Sequence, residues 1–456
     1  MRDDSRSITS DALRSPVFEE RVAFLRESQD WSRYELEEFQ LKNLRYLVRH
    51  VANTIPFYSR FLEEEGLVWQ DFQRLEDIKQ FPTITKETIQ GNYDDFLPRD
   101  ADRDELFDIS TGGSTGSPLT VYMDFDDVAR YKANTQHYME VIGLDIFSYR
   151  SVRIYGDKIP EERLERDEFW YLDGDRKLVM SCYHVNKDTA AAYVDRINQH
   201  DPTYIHTRPS AILPLARYIV SEGLALKEPV EYIITDGEYL TEGQRSTIED
   251  AFQGRVYNIY GHTEGCVFGC SCDQSRMLHF VPQVGILELI DDDDNWVTEE
   301  GARGEIVTTG FNNLTFPLIR YRTGDVAVHT NETCGCGRAY TTVETVEGRM
   351  QDYVVDENET LTPLAPAIFN YNDMDWKGIR NFRVVQPEPG RLRFRIVRED
   401  DHDEPRDAMK KRMEGKISRI FGDTFDIELE YTDELSRTDI GKYRYLEQEI
   451  DTSEYF

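Results

Sequence analysis

Between residues 150 and 260, short apolar runs alternate with helix-length stretches, and no other feature restricts the fold as much. SVRIY (151–155), LVMSC (178–182), TYIH (203–206), EYIIT (231–235) and RVYNIY (255–260) read as strands, and 188–199, 209–222 and 241–252 as helices. That alternation predicts an α/β fold with a mainly parallel sheet covered by helices. Upstream, 17–90 is apolar at helical spacing, from Phe18, Val22 and Leu25 through Leu44, Leu47 and Val48, and Pro56 suits the first turn of a further helix. Downstream, 276–347 reads as a β-rich part. The last hundred residues read strand (352–355), helix (364–370), strands (380–385, 391–397), helix (404–421) and strand (425–430). The expected division is a large N-terminal domain, 1–348, and a small mobile α+β domain, 349–456, joined near Gly348-Arg349.

The charge excludes several classes of partner. With 87 acidic residues against 53 basic ones the net charge is -34, so phosphate backbones and anionic membranes would repel the chain. Only 13 of the basic residues are Lys. Abundant carboxylates with little Lys suit a halophilic host, where salt screens self-repulsion to a few ångströms, roughly 3 Å at 1 M; an ordinary acidic cytosolic protein is the plainer alternative. The N-terminus lacks a basic-then-apolar leader and no run reaches the ~20 apolar residues of a membrane span, so a soluble cytoplasmic protein is expected. Assembly state is open, a homodimer included.

Ser110-Thr111-Gly112-Gly113-Ser114-Thr115-Gly116-Ser117-Pro118 holds three glycines and five hydroxyl residues between two apolar-ended segments. Exposed N–H and O–H donors on such a loop suit polyphosphate oxygens. The Lys of a P-loop is missing, and a flexible Gly/Ser turn would have the same composition. Downstream come Tyr260-Gly261-His262-Thr263-Glu264 at the end of an expected strand, where open α/β sheets place ligands. Then follow Pro317-Leu318-Ile319-Arg320-Tyr321-Arg322-Thr323-Gly324-Asp325, Gly348-Arg349, and Arg437-Thr438-Asp439-Ile440-Gly441-Lys442-Tyr443-Arg444.

In this order, these segments resemble the adenylate-forming (acyl-CoA synthetase and ligase) superfamily, and within it the phenylacetate-CoA ligase-like branch with its CapK-like relatives. Asn53-Thr54-Ile55-Pro56-Phe57-Tyr58 and Phe81-Pro82-Thr83-Ile84-Thr85-Lys86 are similar to that branch too. The resemblance implies ATP-dependent activation of a small carboxylic acid as an acyl-adenylate, followed by transfer to a thiol, coenzyme A being the leading acceptor. It implies that Ser110 to Gly116 hold the phosphates, with Thr111, Ser114 and Thr115 as hydroxyl donors. Gly237-Glu238 would line the adenine, Tyr260 would pack beside it, and Gly261 would belong to the same ATP-binding set. Thr263 would reach the α-phosphate, Glu264 would hold Mg²⁺, Asp325 would bind the ribose, and Arg322 and Arg349 would sit near the nucleotide. Lys442 would be the mobile lysine over the α-phosphate and carboxylate. The acyl pocket would lie near Tyr204 to Ser210 and the loop after Tyr260.

One departure concerns the acceptor. The glycine-containing loop that receives pantetheine in acyl-CoA ligases is absent after Gly348-Arg349-Met350-Gln351-Asp352, as in the CapK-like relatives. Nucleotidyl transfer to a cofactor, as in coenzyme F390 synthetases, and a degenerate nucleotide-binding scaffold in polysaccharide or cell-surface assembly are the rival readings.

Five of six cysteines cluster as Cys266-x3-Cys270-x-Cys272, with His279 nearby, and Cys334-Gly335-Cys336, leaving Cys182 as a plausible buried thiol. In a cytoplasmic chain such spacing suits a metal rather than disulfides. Resemblance to the CapK-like pattern selects Cys272, His279, Cys334 and Cys336 as a structural Zn²⁺ set, with Cys266 or Cys270 as substitutes.

Overall fold

The computed structural model of the chain describes residues 11–110, 119–145, 149–157, 159–291, 293–349, 353–359, 361–364, 368, 378–399, 402–435 and 445–455. They fall into two compact units, Met1–Phe147 with Ile259–Val346, and Ser148–Asn258 with Glu347–Phe456.

The first unit opens with helices Pro16–Ser28, Arg33–Thr54 and Pro56–Glu65. Ser15 caps the first by accepting from Phe18 N, and Ser32 with Glu35 forms a reciprocal capping box on the second. Gly66, at φ +68°, ends the third in the left-handed region. From there to residue 91 the expected helical run becomes the 3₁₀ turns Trp69–Asp71 and Leu75–Gln80 and the short helix Lys86–Gly91. Leu44, Leu47, Val48 and Val51 pack with Tyr58, Phe81, Phe96 and Phe316 in one apolar core. Helix Phe125–Val141, absent from the sequence expectation, buries Asp127, Asn134, Gln136 and His137 alongside Ala129, Ala133, Tyr138 and Met139, a mixed inward face.

The β-rich part is antiparallel: Gly285–Ile290 pairs with Arg303–Gly310, which pairs with Tyr321–His329. Leu278–Phe280 lies between Thr341–Arg349 and Phe268–Cys270, and the latter pairs with residues 259–261. A separate hairpin, Phe107–Ser110 with Thr120–Met123, brackets the expected phosphate loop, whose residues 111–118 lie outside those described.

In the second unit, Lys177–Ser181, Ser151–Tyr155, Tyr204–Thr207 and Tyr232–Asp236 run parallel in that order, and Trp170–Asp173 pairs antiparallel beyond the first. Helices Ala190–His200, Pro209–Ser221 and Glu242–Phe252 contribute Ile197, Ile212, Leu215 and Ile248 to its core. The α/β class expected from the alternation is therefore the one found. The C-terminal part is a second sheet in which Asp426–Tyr431 and Leu446–Gln448 flank the hairpin Ile379–Glu388/Arg391–Arg398 in parallel. Helix Arg406–Phe421 covers it through Met409, Met413 and Ile417. Most of the expected helix 364–370 lies outside the described residues. The Tyr218 hydroxyl, on helix Pro209–Ser221, donates to Glu399 at 3.2 Å.

Candidate active site

Strand Arg255–Gly261 ends in the turn of the first unit that carries Thr263 and Glu264. The turn closes as Gly265 N donates to His262 O at 3.0 Å, with Gly265 at φ +69°. Glu264 is buried, and both its oxygens are engaged: one faces His262 Nδ1 at 2.9 Å, the other accepts from the Tyr321 hydroxyl at 2.8 Å. Burial pushes this carboxyl's pKa up, but His262 and the Tyr321 hydroxyl outweigh it and bring it down to about 2. Glu264 is thus an oriented carboxylate at neutral pH. Behind it, a Cβ on Gly285 would stand 2.2 Å from Cys266 O, so only glycine lets that strand approach the turn.

The Tyr260 hydroxyl donates to Asp325 Oδ2 at 2.8 Å, which unites the expected adenine neighbour with the expected ribose ligand. Burial and the Asp325 charge hold the Tyr260 phenol well above its usual range, so it stays a donor. Thr263 is half-buried between these groups in the chain. Arg322 is engaged by Glu305 at 2.6 Å and Asp294 at 3.3 Å.

The 81–86 and 317–325 segments meet directly. Ile84 N donates to Arg320 O at 3.0 Å and Arg322 N to Ile84 O at 2.9 Å, a short parallel bridge. Arg320 itself adopts φ +51°, uncommon without glycine, and its guanidinium grips Glu288 through two 3.0 Å bonds and Phe81 O at 2.9 Å. The pair is almost fully buried. Sequence reading passed over Glu288, Tyr321 and His262; an acidic residue inside the apolar strand GILELI was the available signal.

In the second unit, Gly237 has φ +68°, and Glu238 accepts from Ser210 N at 2.9 Å and Ser210 Oγ at 2.8 Å. A carboxylate there complements the first turn of helix Pro209–Ser221. Beside this segment, Tyr155, His206 and Asp236 converge from the carboxyl ends of three adjacent parallel strands. Asp236 accepts from the Tyr155 hydroxyl at 2.7 Å and from His206 Nε2 at 2.9 Å. The side chain of Ser110 and that of Arg349, residues Thr111 to Gly116, and Lys442 lie outside what is described.

A third group, again in the first unit, has metal-ligand chemistry. One donor atom from each of Cys272, His279, Cys334 and Cys336 lies within 4.8 Å of the others. Tetrahedral zinc with bonds of about 2.3 Å needs sulfurs about 3.8 Å apart, and Cys272 Sγ and Cys334 Sγ are at 3.5 Å. His279 Nδ1 contacts Met277 O at 3.2 Å, which directs its Nε2 lone pair toward the sulfurs. The three sulfurs and one nitrogen fit a tetrahedral ion. The possible substitutes are turned elsewhere: Cys266 Sγ donates to Glu264 O and Cys270 Sγ to His279 O, and burial pushes both thiols up.

Comparison with known proteins agrees over most of the chain. Residues 367–449 match the CapK C-terminal domain family. Protein CapK of Staphylococcus aureus is 26% identical over 434 residues, covering 93% of this chain and 91% of its own. A phenylacetate-coenzyme A ligase of Thermus thermophilus is 27% identical over 349 residues, 73% of this chain and 74% of its own. Among solved structures, 2-hydroxyisobutyryl-CoA ligase in the postadenylation state superposes with a TM-score of 0.71 at 19% identity, covering 94% of this chain and 92% of the other. No helix among the described residues is long and apolar enough to cross a membrane. In sequence the chain is thus similar to the phenylacetate-CoA ligase-like, CapK-like branch of the adenylate-forming superfamily, and its fold is that of the acyl-CoA ligases.

Proposed function

We propose that the chain is an AMP-forming ligase that joins a carboxylic acid to the α-phosphate of ATP, releases pyrophosphate, and passes the acyl group to a thiol, most simply coenzyme A. The observation that carries this reading is the convergence of 260–264 with 317–325, which orients an ionised Glu264 and hydrogen-bonds Tyr260 to Asp325. Asp325 would bind the ribose hydroxyls, a task suited to an acceptor-only carboxylate that Tyr260 holds in place. Glu264 would hold Mg²⁺ beside phosphate oxygens, and the ion would offset charge growing in the transition state. Residues 110–116 would cradle the β- and γ-phosphates, Thr263 the α-phosphate, and Gly237-Glu238 the adenine. Arg322 and Arg349 would flank the nucleotide, and Lys442 would close over the reacting carboxylate. The small domain 349–456 would swing about 348–352; Gly348, at φ +101°, supplies a backbone suited to a pivot. The acidic surface would serve solubility in concentrated salt.

Exchange of labelled pyrophosphate into ATP tests the reading. With Mg²⁺ in molar salt, at least one acid of a broad panel should support acid-dependent exchange, and coenzyme A should then divert the adenylate to a thioester. No exchange with any acid would refute adenylation and leave the scaffold reading.

Cys272, His279, Cys334 and Cys336 would hold structural Zn²⁺. Purified protein should contain about one equivalent per chain, and chelation should lower the unfolding temperature. Metal-free protein of equal stability would refute the site.

A further inference from the structure

The Tyr155, His206 and Asp236 cluster has no part in holding the nucleotide under the reading above, yet it is built like a recognition site. Asp236 is acceptor-only when ionised, so the 2.9 Å contact requires a proton on His206 Nε2. The Tyr155 O–H is already spent on the other Asp236 oxygen at 2.7 Å, and its oxygen lies 3.1 Å from the same Nε2. Burial raises the Asp236 pKa, but the bonds from His206 and Tyr155 prevail and lower it to about 2. With the ring proton on Nε2, the imidazole in its neutral form has its lone pair on Nδ1, an atom that makes no hydrogen bond among the described residues. The His206 and Asp236 side chains are 33% and 34% exposed, so the cluster borders open space. It stands at the carboxyl ends of parallel strands, one residue before Gly237-Glu238, where α/β sheets place ligands.

A fixed, unshared lone pair calls for a hydrogen-bond donor. An ammonium donor is disfavoured, because the Arg153 and Arg208 guanidiniums lie 3.8 and 5.0 Å from the Tyr155 ring centroid; Arg153 is offset in part by Asp157 at 2.9 Å. A hydroxyl meets both conditions. We propose that His206, oriented by Asp236 and Tyr155, is a specificity-determining residue that accepts a hydrogen bond from a hydroxyl group on the acyl part of the acid. The inference rests on the adenylation reading and deepens it: the substrate class is hydroxylated carboxylic acids.

The test compares kcat/KM for acid-dependent pyrophosphate exchange across matched pairs: para-hydroxyphenylacetate with phenylacetate, para-hydroxybenzoate with benzoate, beta-hydroxybutyrate with butyrate. Sites that bind a substrate hydroxyl reject the analogue lacking it by up to about 10⁴–10⁵-fold when sealed; for this part-exposed cluster at least about tenfold is expected in one pair. His206→Leu should bring that ratio close to one. Asp236→Asn is the sharper variant, because it preserves volume and can donate to Nε2. The ring proton then moves to Nδ1, and preference should pass from the hydroxyl acid to its methoxy analogue, which only accepts. A purely structural role would not reverse the preference. Equal rates within every pair, preference for an amino-substituted acid, or an unchanged ratio in Asp236→Asn would overturn the proposal while leaving adenylation intact. Absence of exchange with all acids would overturn both.

Discussion

Lys442→Ala is expected to slow acid-dependent pyrophosphate exchange by about a hundred- to a thousandfold, the usual loss when a preorganised charge is removed from a transition state. ATP binding, followed by equilibrium titration, should change little. The reasoning is differential binding: under the proposed reading, a lysine brought in for adenylation would contribute where charge builds between carboxylate and α-phosphorus, and little to nucleotide held elsewhere. Lys442→Arg should not rescue the rate, since a planar fork does not reproduce a compact point charge. An exchange rate within a few-fold of the parent would remove Lys442 from the chemistry, and a parallel loss of ATP affinity would recast it as a binding residue.

The second large effect concerns stability. Glu288→Ala leaves the buried Arg320 guanidinium without its carboxylate, and such half-removals cost about 3–5 kcal/mol. Arg320 is also held at φ +51° with its N–H on Thr309 Oγ1 at 2.9 Å, so relaxation there would disturb the Ile84 bridge and the strand bearing Asp325. Urea unfolding should show the loss in Glu288→Ala and in Arg320→Ala. A Glu288→Leu/Arg320→Met double variant should recover much of it, because apolar replacement of a whole buried pair is often neutral. A single-variant loss below about 1 kcal/mol would mean that water reaches the pair.

These two expectations stand at opposite ends of what the sequence made legible. Lys442 was found through a motif alone. Glu288 had a weaker signal, an acidic residue inside an apolar strand, and its partner Arg320 emerged only from the fold. Helices were readable where apolar spacing and an end signal agreed, as at Pro56. Helix Phe125–Val141 was missed because its buried face mixes Asp127, Asn134 and His137 with Ala129, Ala133 and Tyr138, which blurs the apolar period. Parallel strands 151–155, 204–207 and 232–236 were legible within a residue, since each is a short β-branched run between turns. What local pattern could not supply was pairing across long separations: Tyr260 with Asp325, Glu264 with Tyr321, Tyr155 with Asp236. The Cys3His quartet was partly readable, since spacing marked the two clusters, resemblance selected Cys272, and the structure brings the four donors together.

Separation along the chain also has a temporal side for that quartet. Cys272 and Cys334 lie 62 positions apart. At a synthesis rate of about 5–20 residues per second, Cys272 waits about 3–12 s for its partner to be made. During that wait Cys266, Cys270 and Cys272 are three thiols within seven residues, close enough to be oxidised together. The nascent chain therefore depends on a reducing ribosome exit more than the finished protein does, and yield on expression should respond to redox conditions before stability does.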